Sequence, residues 1–543
     1  MRADTTLVRG DIATGAPGDA RAEAMALQGE RIVAVGRLDE VRAALGAAPA
    51  REIAYAQGTV VPGLIDTHNH MHWTGVQARL VDLAEARSVA DIQDAVRSYA
   101  ARHPERAWIS SGGGWHVTRL REGRYPTRQE LDAACAERPV VLPRVGHAAV
   151  ANSLALRLAG IGRDTPDPPG GRIERGADGE PTGLLLEPPA FEPVLRLVPP
   201  LSLDEQAEAL RDIQRVYHAA GLTGVMDPGV TPEMMRAYQA LWRRGQLSLR
   251  SVLMPLADSS RPLQDNLDLL DHIGFATGFG DARLKLGGVK LFLDGGASLG
   301  TALMREPYPD ERCNCGIQVT PTERFRHIAW HCARHGWSLG VHVVGGQAID
   351  IALEVFAEID REIALRPLRF TLIHAYLWPD ERNVREAARM GIGVATQCSM
   401  QYTFGPLLVQ RFGSAMMAVA TPVRSWLDAG VVVGGGSDSP VTPHPPLLGL
   451  WQARTRHVAG TDEPVGRLQA VTGEEALALY TRNAAWLSFS EHERGLLQPG
   501  LLADWTVLSV DPVRGDAEAL RTARVLATAV GGNEVFRAAG GVA

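Results

Sequence analysis

The spacing of apolar positions changes twice along the chain, and the changes divide it into parts. Over residues 1–62 short alternating runs are broken by turn residues, and residues 24–36 read as a hairpin turning at Gln28-Gly29-Glu30. Toward the other end, residues 503–510 and 525–530 alternate in the same way. Two β-rich ends flanking a long middle predict a small β-sandwich built from residues 1–62 and 489–543, with the termini brought together.

Residues 63–488 instead carry short apolar runs separated by amphipathic stretches, the pattern of an α/β fold with a parallel barrel. Eight runs read as strands of a (β/α)8 TIM barrel: 64–70, 222–227, 249–254, 288–294, 339–344, 370–375, 392–397 and 431–437. Helical periodicity fills most of the gaps, for example at 322–335 and 380–390. The first gap is too long for one crossover helix. Residues 75–220 are therefore expected to form an inserted α/β subdomain, holding Trp108 to Trp115, the run 140–158 and a Pro/Gly-rich loop or hairpin at 166–183.

Composition narrows the class. With 45% hydrophobic and 22% charged residues the chain reads as an ordinary soluble protein, and 543 residues are too many for a single simple core. A net charge of −7 argues against gripping phosphate backbones, so no nucleic-acid partner is expected. No run approaches the roughly 18 apolar residues of a membrane span. Met1-Arg2-Ala3-Asp4 leads into no apolar signal segment, and five cysteines make no disulfide framework. A cytoplasmic enzyme acting on a small molecule, with no membrane partner, is the expectation. Of 55 Lys and Arg only two are lysines, Lys285 and Lys290. Such a skew fits a GC-rich genome, but a buried lysine amine can lose its proton and react, which a guanidinium cannot. Five positions apart in one strand-like run, the two point to opposite faces, so one of them is expected to face the site.

The candidate chemistry opens at Asp66-Thr67-His68-Asn69-His70. On a strand, His68 and His70 project from one face, at the end where barrel enzymes keep their active sites. A lone His-x-His is weak. Lys290, His342, His374 and Asp438 then fall at or near the C-terminal ends of strands four, five, six and eight. Each has a plain alternative: a buried histidine bonded to a carbonyl, a lysine reaching for solvent, an aspartate capping a helix. Their recurrence on the correct ends of successive strands makes coincidence the weaker reading.

The sequence resembles the amidohydrolase superfamily, and within it the amidohydrolase-3 family of YtcJ-like and N-substituted formamide deformylase-like proteins. The matching stretches are Val61-Pro62-Gly63-Leu64-Ile65-Asp66-Thr67-His68-Asn69-His70, Val289-Lys290-Leu291-Phe292-Leu293-Asp294-Gly295, His342-Val343-Val344-Gly345, Ile373-His374-Ala375, Gly436-Ser437-Asp438-Ser439-Pro440-Val441 and the run from Pro499 to Asp504. The resemblance implies His68 and His70 as ligands of one metal, His342 and His374 as ligands of a second, and a carboxylated Lys290 bridging them. Zn2+ suits such ligands, with Mn, Fe or Co as alternatives, and one ion or two remains open. Asp438 would bind the first metal and act as the proton carrier. A bound metal lowers the pKa of water from about 15.7 to about 7, supplying a hydroxide nucleophile near neutral pH.

The reaction implied is hydrolysis of a C–N bond, an amide, N-formyl or related linkage of a small molecule. Hydrolysis of esters, lactones or phosphoesters at the same site, and a non-catalytic binding barrel, stay open beside it. A homodimer is common in the family. Two positions depart from its usual text: Gly346, where an Asp is common, and Ile373, where a Glu is common. Gly114-Trp115-His116 and Gly146-His147 resemble family segments near the substrate, so Trp115 and His147 are candidate pocket residues, against simple packing of the insert. His72 shares parity with His68 and His70 but falls past the strand end, which favours a structural or solvated role. His327, His331 and His335 repeat every four residues on one helical face; Ile328 stands where a metalloprotease helix needs Glu, so an exposed face is the expectation. Cys313-x-Cys315 has no second pair at metal spacing and predicts no zinc knuckle.

Overall fold

The computed structural model describes residues 5–46, 50–112, 115, 117–144, 148–168, 171–309, 313–461 and 463–539. Two compact units are present, Met1–Met71 with Gln214–Ala543, and His72–Ile213.

In the first unit the two chain ends share one seven-stranded sheet. Its order is Asn533–Arg537, Val525–Val530, Trp505–Leu508, Arg51–Pro62, Thr5–Ala13, Arg21–Gln28, Arg31–Gly36. The seam between the ends is antiparallel, with Trp505 opposite Pro62. Alternation explains both faces. Val8, Met25, Trp505 and Ala527 join one apolar core, whereas Leu7, Ala24 and Ala26 turn the other way onto Val41 of helix Leu38–Leu45. The hairpin expected at 24–36 is there, with Arg21–Gln28 antiparallel to Arg31–Gly36.

The rest of this unit is parallel-rich α/β. One sheet runs Leu284–Leu286, Arg250–Pro255, Leu222–Val230, Leu64–Asp66, and a second runs Val289–Phe292, Leu339–Val343, Thr371–His374, Gly393–Thr396, Val433–Gly435. Every pairing in both is parallel. The sheets meet at both edges. A parallel bridge joins Leu256 to Lys290, and at the other edge Thr67 N–H donates to Gly435 O at 3.1 Å. Each of the eight expected runs contains a strand. The fourth differs: 284–286 pairs with one neighbour and 289–292 with the other, and the break falls at Gly287-Gly288. A side chain at Gly288 would stand 3.0 Å from the Ser338 backbone, so any larger residue would require that segment to shift. Lys285 and Lys290 thus lie on separate strands, not on one run. Helices Thr322–Arg334, Gly346–Asp360 and Glu381–Met390 follow successive strands. The first buries Phe325, Ile328, Ala329 and Cys332, one face of a 3.6-residue repeat, and Asp380 caps the last.

The second unit has its own five-stranded sheet, ordered Ile109–Ser110, Val140–Arg144, Ala148–Ala151, Pro181–Leu186, Arg172–Arg175. The Pro/Gly-rich stretch is a hairpin, Arg172–Arg175 antiparallel to Pro181–Leu186. Among the described residues no helix is long and apolar enough to cross a membrane.

Candidate metal centre

The strand Leu64–Asp66 ends two residues before His68, and the chain beyond it is held in place by Asp66. That carboxylate accepts from His68 N–H at 3.1 Å, Asn69 Nδ2 at 2.9 Å, Ser437 N–H at 3.0 Å and Ser437 Oγ at 2.6 Å. The end of the first strand is thereby tied to the end of the last. Tyr217 OH donates to Asn69 Oδ1 at 2.7 Å, and Asp438 N–H to His68 O at 2.7 Å. Burial pushes Asp66 up to about 6 even against these bonds.

Six side chains converge there. His68, His374 and Asp438 are buried, with one donor atom of each within 4.8 Å of the others. Asp438 Oδ1 stands 3.3 Å from His68 Nε2 and 3.1 Å from His70 Nε2. Ring centroids lie 5.0 Å apart for His68 and His374, and 4.5 Å apart for His342 and His374. Lys290 is fully buried, its Nζ 4.5 Å from the Phe292 ring centroid. His374 and Asp438 both take positive φ, 74° and 58°, a conformation that costs non-glycine residues about 1–3 kcal/mol and recurs at functional sites.

Three outward hydrogen bonds set the tautomers. His70 Nδ1–H donates to Pro228 O at 3.0 Å while its Nε2 faces Asp438, and His374 Nδ1–H donates to Gln397 Oε1 at 2.6 Å, leaving the His374 Nε2 lone pair facing inward. His342 is turned over: Nε2–H donates to Gly295 O at 3.3 Å, and Nδ1 is buried without a partner. Gln397, the residue after strand Gly393–Thr396, and the Pro228 carbonyl were not singled out from sequence. Gln397 shares the strand-end position of the ligand candidates, a signal that was there to be read.

The electrostatics are those of an uncompensated cluster. Burial, then the Lys290 charge, lowers both His68 and His342 to about 3. Burial, then His342, holds His374 well below its ordinary range. Burial opposes charge on Asp438, but its close approach to His68 and His70 prevails and keeps it well below the carboxylate range. For His70 burial is outweighed by Asp438, and its pKa rises. Lys290 is lowered by burial to about 7, although Asp438 and Asp294 favour its charge. Neither ring nitrogen of His68 makes a hydrogen bond of good geometry, and Lys290 Nζ has none among the described residues. Buried polar atoms normally find partners, so orphans concentrated in one place call for an absent group. Three neutral imidazoles and an ionised carboxylate, with His70 paired to that carboxylate, are the donor set of a zinc-like cation, and the residues fit a metal.

An "Amidohydrolase family" profile matches residues 51–536. The chain belongs to that family. This amidohydrolase is 30% identical over 525 residues to the "Putative amidohydrolase YtcJ" of Bacillus subtilis, covering 95% of this chain and 96% of the relative. It is 31% identical over 547 residues to the "N-substituted formamide deformylase" of Arthrobacter pascens, covering 97% of each. Its fold superposes on that of an uncharacterised metal-dependent hydrolase from Pyrococcus horikoshii with a TM-score of 0.79 at 23% identity, over 95% of this chain and 99% of the other. A second fold match, atrazine chlorohydrolase from Arthrobacter aurescens complexed with zinc, has a TM-score of 0.51 at 17% identity, over 97% and 94%.

Trp115 and His72 belong to the second unit. Trp115 is buried in the apolar core of the second unit, its Nε1–H on Pro143 O at 3.1 Å and its ring edge-on to Tyr125, which accounts for it by packing. His147, Gly114 and His116 lie outside the described residues. His72 is buried and bonded to Gln206 at 2.9 Å, a structural role. Ile373 packs in an apolar cluster with Met226 and Met254, so the departure from Glu is compensated by hydrophobic neighbours. Cys313 and Cys315 are free thiols.

Proposed function

We propose that this amidohydrolase cleaves a C–N bond, an amide or N-formyl linkage of a small molecule, with Asp438 as proton carrier. The reading rests on a closed (β/α)8 barrel over residues 63–488, the insert 75–220 and a terminal β-sandwich from 1–62 and 489–543. The barrel is supported by the parallel order and by the two edge contacts, the sandwich by the shared apolar core of both chain ends. His68, His70, His342 and His374 would hold the metal with Asp438 and a carboxylated Lys290. Zinc suits this set, and its chemistry when bound is to polarise a carbonyl and to acidify water.

One observation carries the proposal: a fully buried lysine amine with no hydrogen-bond partner among the described residues, surrounded by four histidines and an aspartate. A pKa lowered to about 7 leaves much of the amine unprotonated near neutral pH. Its lone pair can then add to the carbon of CO2 with loss of a proton, giving a carbamate whose two oxygens can serve two cations. Asp438 stays ionised and touches both His68 and His70, so it can accept a proton from water and return it to the departing nitrogen. The 31% identity to a formamide deformylase favours the C–N bond over the ester, lactone or phosphoester. A cytoplasmic homodimer with a small-molecule substrate completes the reading; the charge of −7 supports the lack of a nucleic-acid partner. Asp438→Asn tests it on N-formyl, amide and ester substrates. Metal retained with N-formyl or amide turnover lost supports the proposal. Wild-type turnover of esters alone would refute the bond assigned, and no turnover at all would favour a binding protein.

A further inference from the structure

Helices Leu263–Ile273 and Thr322–Arg334 pack together, one before and one after the strand that carries Lys290. Their C-terminal ends meet. Asp271 lies in the last turn of the first, His331 in the last turn of the second, and His335 is the residue that closes the second helix. One donor atom of each is within 4.8 Å of the others. The cluster takes two of the three evenly spaced histidines and adds a carboxylate from another helix, which no local pattern connects to them.

The ring nitrogens are arranged for a cation. His335 Nδ1–H donates to the His331 carbonyl at 2.8 Å, which leaves Nε2 as the lone pair. His331 Nε2 is shielded from solvent, stands 2.9 Å from Asp271 Oδ1 and forms no hydrogen bond of good geometry. Two ligands of one tetrahedral zinc, each at about 2.0–2.1 Å, lie roughly 3.3 Å apart, so this pair is within a few tenths of an ångström of that spacing. The two imidazoles are 4.1 Å apart by centroid and tilted by 30°. Both helices end here, and the negative ends of their dipoles favour positive charge. The neighbouring cation, Arg334, is held over the Trp330 ring at 4.9 Å, and His272 donates to Asp268 O.

We propose that Asp271, His331 and His335 form a second site for a divalent transition-metal ion, zinc by its imidazole and carboxylate ligands, apart from the cluster around Lys290. The ion clamps the two helices that flank the Lys290 strand, with water completing its coordination. Binding requires neutral imidazoles, so it competes with protons and weakens in acid. The test uses the holoenzyme dialysed with Zn2+ alone, beside its His335→Gln and Asp271→Asn variants. Metal is counted per chain, and thermal midpoints are taken with and without Zn2+. Both variants remove exposed side chains, so either one decides if the other folds poorly. One ion fewer per chain in the variants, with kcat/KM unchanged and a Zn2+-dependent midpoint rise confined to wild type, is expected. Equal metal counts in all three chains would overturn the site.

Discussion

Lys285 and Lys290 are five residues apart and sit in opposite electrostatic settings. Lys285 lies near the starts of the parallel strands, where its Nζ donates to Glu493 at 2.9 Å and to Phe489 O at 3.1 Å. Beside it Arg250 grips Asp504 with two hydrogen bonds, 2.6 and 2.8 Å, and Gly531 N–H supplies a further donor at 2.8 Å. Lys290 lies toward the other ends of the strands among His68, His342 and Asp438, and its amine is buried with no hydrogen bond among the described residues. The first cluster is charge used to hold strands and the terminal sheet together. The second is charge held ready, since an unsatisfied buried polar group is destabilising and persists where something is meant to complete it.

Substituting the two lysines breaks that comparison most sharply. Lys290→Met should abolish turnover, a fall beyond about 10³-fold if metal and proton transfer are both lost. The same variant should stabilise the metal-free fold by about 1–3 kcal/mol, because an orphan buried amine is replaced by an apolar chain of similar length. The pH dependence has a definite sign. With Lys290 lowered from 10.5 to about 7, the folded state binds fewer protons than the unfolded chain between those values. Metal-free wild type should therefore gain stability as pH rises through that window, and Lys290→Met should not; denaturant midpoints across the range check this.

The paired cluster should respond in the opposite way. Asp504→Ala leaves the buried Arg250 with only the more distant, part-exposed Glu30 at 3.6 Å and should cost about 3–5 kcal/mol in denaturant unfolding, with kcat of the folded fraction preserved. Burial resists charge on Asp504, but Arg250 outweighs it and keeps its pKa low. Its contribution is thus full above the ordinary carboxylate range and lost as pH falls through the depressed folded value. Gln397→Leu removes the acceptor that orients His374 and should weaken metal binding about 10–100-fold, read by competition with a chelating dye. The smallest effect is expected from Lys285→Arg, which retains the pairing with Glu493 and should change stability by less than about 1 kcal/mol and turnover not at all.

Much of the site was legible because parallel strands are short, apolar and punctuated, so residues at their ends can be ranked by position alone. His68, His374 and Asp438 were found in this way and lie together. The split of strand four was not legible: residues 284–286 and 289–292 pair with different neighbours, a tertiary choice without a local pattern. Gln397 was passed over because an amide at a strand end carries no chemistry of its own until His374 is seen to need it. Trp115 was ambiguous for the reverse reason, since an aromatic beside glycines reads equally as pocket wall or as core, and the structure packs it into a core. Asp271 shares no periodicity with His331, so only folding could join them.

The central claim is that the orphan cluster around Lys290 is a metal centre. It is tested most directly by counting metal in purified protein carrying His335→Gln, which removes the contribution of the helix-end site, with and without Lys290→Met. Bound zinc or a similar ion in the first protein, lost together with turnover in the second, is the result expected. A metal-free protein that turns substrate over at the full rate would contradict it.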